Sequence, residues 1–181
     1  MIKRLFKCVV FTLLAYLLQA TTAIHISLWD VAPNIALAMI AIVSVGLGRK
    51  YAFFMSLAVG YMLEVMLPVL DYFNLILYPV CAMLGALVFS DKSERRVDEE
   101  RTSQKVRGTL NPHIRTPLCA FLSVSVFEGV HFFYLYLSGV SIDSGHMTRA
   151  FIDIVYTAVL SGLIQFPGRW WLDVYKVPRA R

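Results

Sequence analysis

What the chain has least of is polar surface. Charged side chains make up 16% of its 181 residues against 58% hydrophobic ones, and the mean hydropathy is +0.65. A soluble globule needs more polar surface than that to coat itself, so the expected solvent for most of this surface is lipid. Cysteine is scarce too. Cys8, Cys81 and Cys119 are the only three, with no close-spaced pair to close a loop or hold a metal, and they read as buried small apolar residues. The four histidines show no ligand spacing, and no zinc, haem, phosphate-loop or nucleotide signature is present. The expectation is therefore no metal, no cofactor and no soluble catalytic domain, hence not an enzyme. The sequence also lacks the internal duplication common in secondary transporters.

What is present is a series of apolar runs. A hydrocarbon layer about 30 Å thick takes roughly 20 apolar residues per helix. Six runs approach that length: Leu5–Ile24, Val31–Leu47, Tyr51–Leu67, Tyr72–Phe89, Thr116–Leu137 and Met147–Phe166. The second and third are short and meet at Gly48-Arg49-Lys50, where a glycine ends one helix and two basic side chains hold the turn at the headgroups. With the N-terminus inside, sixteen of the seventeen Lys and Arg residues fall on the cytoplasmic side, and only Arg149 falls outside. Merging or dropping a span would scatter that set. The predicted fold is therefore all-α: one polytopic domain over 1–181 with six transmembrane helices and both termini in the cytoplasm. The net charge of +5 then reflects topology and anionic lipid, with no need of nucleic acid.

Lys3, Arg4 and Lys7 ahead of an apolar run ending in Ala20-Thr21-Thr22-Ala23 also describe a secretory signal. The run is longer than a typical signal core, and removing it would leave an odd number of spans, so it is read as a retained first helix. One stretch interrupts the apolar pattern, a mixed-charge connector from Ser90 to Arg115 placed in the cytoplasm. Gly108, Pro112 and Pro117 suggest a flexible end to it, and it reads as a solvated linker or a docking surface for a cytoplasmic partner.

Polar groups inside the spans are the most informative residues, because an ionisable side chain in hydrocarbon costs at least a few kcal/mol (about 2.5 or more) and faces the bundle interior or a partner. Glu64 lies late in the third run, Glu128 and His131 in the fifth, and Asp153 early in the sixth. Glu64, His131 and Asp153 fall in the outer half of the membrane and form a candidate outward-facing cluster if their helices are neighbours. Residues four apart share a helix face. Asp153, Thr157, Ser161 and Gln165 make one polar stripe, and Ser56, Gly60 and Glu64 another, whose small residues admit a neighbouring helix. Glu128 and His131, three apart, are placed to pair. These stripes read as interhelical hydrogen bonding, as a binding cavity or partner surface, or as a proton relay through Glu64, Glu128, His131 and Asp153.

A family resemblance is carried by the order of these features. The matching parts are the basic start and first span, Val31-Ala32-Pro33-Asn34-Ile35 opening the second helix, and the turn at Gly48-Arg49-Lys50. They continue with Gly60-Tyr61-Met62-Leu63-Glu64 and a closing helix that ends in Phe166-Pro167-Gly168-Arg169. In this order the chain resembles the rod-shape-determining MreD family, with Pro33 and Asn34 as family-like positions and Glu64 where that family usually carries an aspartate. The resemblance implies a fold similar to the substrate-binding subunits of energy-coupling-factor transporters. It also implies a non-catalytic role in the bacterial inner membrane, in the elongation machinery that sets cell shape and builds lateral peptidoglycan. The implied partner is a bitopic coiled-coil protein of the MreC type, and through it a RodA-like polymerase, a class B penicillin-binding protein and MreB. The alternative is a vitamin- or metal-ion-capturing subunit of an energy-coupling-factor transporter. The small-xxx-small face that such subunits use on their first helix is not evident here, where Ala15 and Gln19 occupy that spacing.

Overall fold

A computed structural model describes residues 2–23, 25–66, 72–89 and 111–173. Helix α1 (Ile2–Leu17) runs on through a π-helical turn at Leu18–Thr22; α2 spans Ile35–Gly46, α3 Arg49–Met66, α4 Phe73–Phe89, α5 Pro112–Leu137 and α6 Ser144–Trp171. No strand occurs among the described residues; one bridge between Leu28 and Val31 tightens the loop ahead of α2. Leu67 and most of the connector, 90–110, lie outside the described residues.

The shortest helix is the centre of the molecule. Every residue of α2 from Ile35 to Val45 is buried, the environment of a helix that is apolar all round. The other five ring it: α1 packs on α3, α3 on α4, α4 on α5 and α5 on α6, while α2 touches all of them. The ring closes where α6 returns to α1, through the Lys7–Asp173 ion pair and the approach of Phe11 to Gly168. Tyr156 Oη, donating to the Ile26 carbonyl at 2.7 Å, pins the loop ahead of α2 onto α6.

The polarity of the ring is inverted relative to a water-soluble bundle. On α6 the buried residues include Asp153, Thr157, Ser161, Gln165 and Arg169, whereas Phe151, Val155, Val159, Leu163 and Phe166 are exposed. The outer faces of α1, α3 and α4 are likewise apolar, with Leu5, Phe6, Phe54, Tyr61, Ile76 and Leu87 exposed. A contiguous apolar exterior of this extent is unstable in water. Three helical segments, Leu5–Thr22, His113–Leu137 and Ser144–Trp171, are long and apolar enough to cross a membrane.

Three boundaries differ from the sequence reading, each for a local reason. The second helix starts at Ile35 and not at Val31, because Pro33 holds the preceding residue out of the helical region and Asn34 caps the first turn, accepting from Leu37 N at 3.1 Å. At twelve residues it is about 18 Å long. The fifth helix begins at Pro112, inside the supposed connector, since a proline in the first turn loses no intrahelical bond and Asn111 supplies the cap. The sixth does not end at Phe166–Arg169 but runs through Pro167 to Trp171. As expected, a glycine ends α2, with Gly48 at φ +92°, where a side chain would be strained.

Candidate functional site

The polar residues of the spans separate into three places. The first is the buried N-terminus of α2, whose early amides have no intrahelical partners and no water. Each is satisfied from a different element. Asn34 N donates to Thr157 Oγ1 at 2.9 Å and to Asp153 Oδ1 at 3.2 Å. Ile35 N donates to Pro33 O at 3.0 Å, and Ala36 N to Gln19 Oε1 at 3.0 Å. Asn34 Oδ1 also accepts from Tyr78 Oη at 3.4 Å. The π-helical turn in α1 carries Gln19, its widened register turning that side chain toward α2, and the Asp153 carboxyl sits at the positive end of the α2 dipole. One knot thus ties α1, α2, α4 and α6 together. The upper half of the Asp153-Thr157-Ser161-Gln165 stripe is occupied in making it.

The second place is the opposite end of the stripe. Pro117 has no amide to give to the His113 carbonyl one turn back, and Gln165 Nε2 takes that carbonyl at 3.2 Å. Arg169 Nη2 donates to Thr116 Oγ1 at 2.7 Å, and the His113 ring stacks on Phe166 at 5.4 Å. Arg115 and Arg169, counted on the cytoplasmic side by the charge tally, are buried, at 8% and 2% exposed. No apolar window or charge count reveals that. The one available signal was Pro117 itself, which demands an outside donor.

The third place is a cleft of about 260 Å³ lined by Asp30, Val31, Ala32, Glu128, His131, Phe132, Leu135, His146, Arg149, Ala150 and Asp153. It lies between α5, α6 and the loop before α2. That loop carries Trp29 and Asp30 at positive φ, 50° and 62°. Glu128 and Asp153 bring two carboxyl groups to this one cavity, the first from α5 and the second from α6. Of the predicted outward-facing cluster of Glu64, His131 and Asp153, the last two line this cleft, and Glu128 joins them. Glu128 makes no ion pair with His131, its expected partner on the same helix, among the described residues.

Glu64 is not in this cleft. Its Oε2 accepts from Asn74 N at 2.7 Å, capping the first turn of α4 and binding α3 to α4. Gly60 lies one turn earlier on that seam, and a Cβ there would stand 2.7 Å from the Asn74 carbonyl oxygen. Ser56 is fully buried and donates within its own helix to Phe53 O. The Ser56-Gly60-Glu64 stripe therefore serves helix approach, and Glu64 is not among the residues that line the cleft with Glu128, His131 and Asp153. Pro33 and Asn34 belong to the α2 knot. Asp30, His146 and Arg149 were not selected from the sequence, although Arg149 stood out there as the single basic residue on the outer side.

Among the described residues no group of three or more histidine, cysteine, aspartate or glutamate side chains is arranged to hold a metal ion. No protein-family model, curated protein or solved structure matches the chain.

Proposed function

We propose that the chain is a multi-pass protein of the bacterial cytoplasmic membrane, with six spans and both termini in the cytoplasm, acting as a non-catalytic scaffold of the MreD type. In this role it holds a bitopic coiled-coil partner of the MreC type, and through it the polymerase, transpeptidase and MreB that make lateral peptidoglycan. The observation that carries the reading is the inverted bundle in which several interior polar groups serve its own helix ends. Asp153 and Thr157 cap α2, Gln165 fills the gap left by Pro117, and Glu64 caps α4. Such a bundle is a stiff platform, suited to holding a partner's transmembrane helix on its apolar exterior by close packing. The lipid-facing surfaces of α1 and α3, with Leu13, Leu14, Phe53 and Phe54 exposed, offer that exterior. The sequence supplies the orientation, with sixteen of seventeen basic residues on one side.

The outer cleft favours a second reading, a solute-capturing subunit of an energy-coupling-factor transporter, because a cavity with charged walls fits a small polar molecule. Affinity purification of the tagged protein from native membranes in mild detergent, with co-purifying proteins identified by mass spectrometry, separates the two. Recovery of an MreC-like coiled-coil protein with a polymerase and a transpeptidase is the expected result. Recovery of ATPases with a membrane coupling subunit overturns the scaffold in favour of the transporter subunit.

A further inference from the structure

The outer cleft is built unlike the rest of the bundle. Here two acidic side chains from different helices, Glu128 of α5 and Asp153 of α6, line one open cavity. Asp153 is 7% exposed, and its Oδ1 is already engaged by Asn34 N and by Thr157 Oγ1 at 2.8 Å. Two carboxyls so placed repel each other when ionised and are relieved by a cation set between them. The same cavity carries the opposite charge one helical turn toward its mouth. Arg149 and Asp153 are four residues apart on α6, about 6 Å along the axis. Arg149 makes no ion pair among the described residues, and His146 lies beside it one turn further out. Arg149 is also the one basic residue that the charge tally leaves outside, a position disfavoured for Lys and Arg near membrane spans. Phe132, Leu135 and Ala150 supply apolar wall between the two charged ends. A cavity of about 260 Å³ admits a small solute and not a folded segment.

We infer that this cleft binds a small zwitterion, with its ammonium nitrogen between Glu128 and Asp153 and its acidic group at Arg149 and His146. The ligand enters from the outer side, and its two charges are separated by roughly one helical turn, about 5–6 Å. Neither the scaffold role nor the transporter alternative is needed for this assignment, which stands on the cleft alone. An amino-acid-like solute with a carboxylate and the headgroup of an ethanolamine phospholipid with a phosphate share this chemistry.

The test is calorimetric titration of the full-length protein in detergent micelles with four probes: 4-aminobutyrate, O-phosphoethanolamine, n-butylamine and butyrate. The expected result is that at least one of the two zwitterions binds about tenfold or more tighter than either single-charge probe, each tenfold being about 1.4 kcal/mol of binding free energy. Preference for 4-aminobutyrate assigns the site to a water-soluble solute, and preference for O-phosphoethanolamine to a lipid headgroup. Glu128→Gln and Arg149→Gln each weaken that binding about tenfold. Ser125→Ala, on the same helix as Glu128 and away from the cavity lining, leaves it unchanged. Both glutamine variants leave the groups that cap α2 in place, so a matching unfolding midpoint confirms that each is folded. Equal affinity for all four probes, no binding of either zwitterion, or an Arg149→Gln variant that binds the zwitterion as well as the parent overturns the assignment.

Discussion

Removing the Asn34 side chain tests the claim that the α2 N-terminus is the knot of the bundle. Asn34→Ala deletes the acceptor of the Leu37 amide at 3.1 Å and of the Tyr78 hydroxyl at 3.4 Å, both buried. It leaves the Asn34 amide bonds to Asp153 and Thr157 in place. Loss of an N-cap costs about 0.5–2 kcal/mol, and a buried donor left without a partner costs about 1–3 kcal/mol. The two groups are neighbours and will not add strictly, so the expected loss is about 3 kcal/mol. The assay is equilibrium unfolding in mixed micelles titrated with dodecyl sulfate, followed by far-UV circular dichroism. Asn34→Ser retains a capping oxygen but is too short to serve Tyr78, and is expected to recover the capping share alone. An Asn34→Ala variant within about 0.5 kcal/mol of the parent, the range of an ordinary surface substitution, refutes the reasoning.

Two further substitutions probe the other helix contacts by the same unfolding measurement. Gly60→Ala puts a Cβ 2.7 Å from the Asn74 carbonyl oxygen and is expected to cost about 1–3 kcal/mol by forcing α3 from α4. Gly129→Ala meets nothing within 4 Å and should be neutral or stabilising by up to about 1 kcal/mol through helix propensity; equal effects at the two sites contradict the packing account. Gln165→Leu should cost about 1–3 kcal/mol by leaving the His113 carbonyl without its donor. Its cost should fall by about 1 kcal/mol in a Pro117→Ala background, where residue 117 regains an amide for that carbonyl; absence of such coupling removes the explanation of Gln165.

The coarse architecture was readable because hydropathy and helical spacing are both local. All six helices appear at the predicted runs, and the Asp153-to-Gln165 face is buried as its spacing implied. Helix ends were less readable where proline was taken as a breaker. Pro112 starts a helix, and Pro167 is carried inside one, since proline loses nothing in a first turn and a freed carbonyl elsewhere can find another donor. Which polar groups meet was readable only in part, because it depends on ring order, and helical spacing is silent about neighbours. Glu128 and Asp153 converge since α5 packs on α6; Glu64 does not, since α3 faces α4, and its carboxylate serves a helix end only ten residues away in sequence. Arg115 and Arg169 show the limit of charge counting, which assigns a side of the membrane and says nothing of burial.

The central claim is an inverted helical bundle lying across the membrane with its charged cleft on the outer side. Its most direct test is thiol accessibility in intact cells. Asp30→Cys and Arg149→Cys are introduced singly at the mouth of the cleft, and Lys50→Cys at the turn between α2 and α3, in a background with Cys8, Cys81 and Cys119 replaced by serine. Each is treated with a membrane-impermeant maleimide before and after permeabilisation. The account predicts that residues 30 and 149 are modified in intact cells and residue 50 only after permeabilisation. Modification of residue 50 from outside, or protection of both 30 and 149 until the cells are opened, would contradict it.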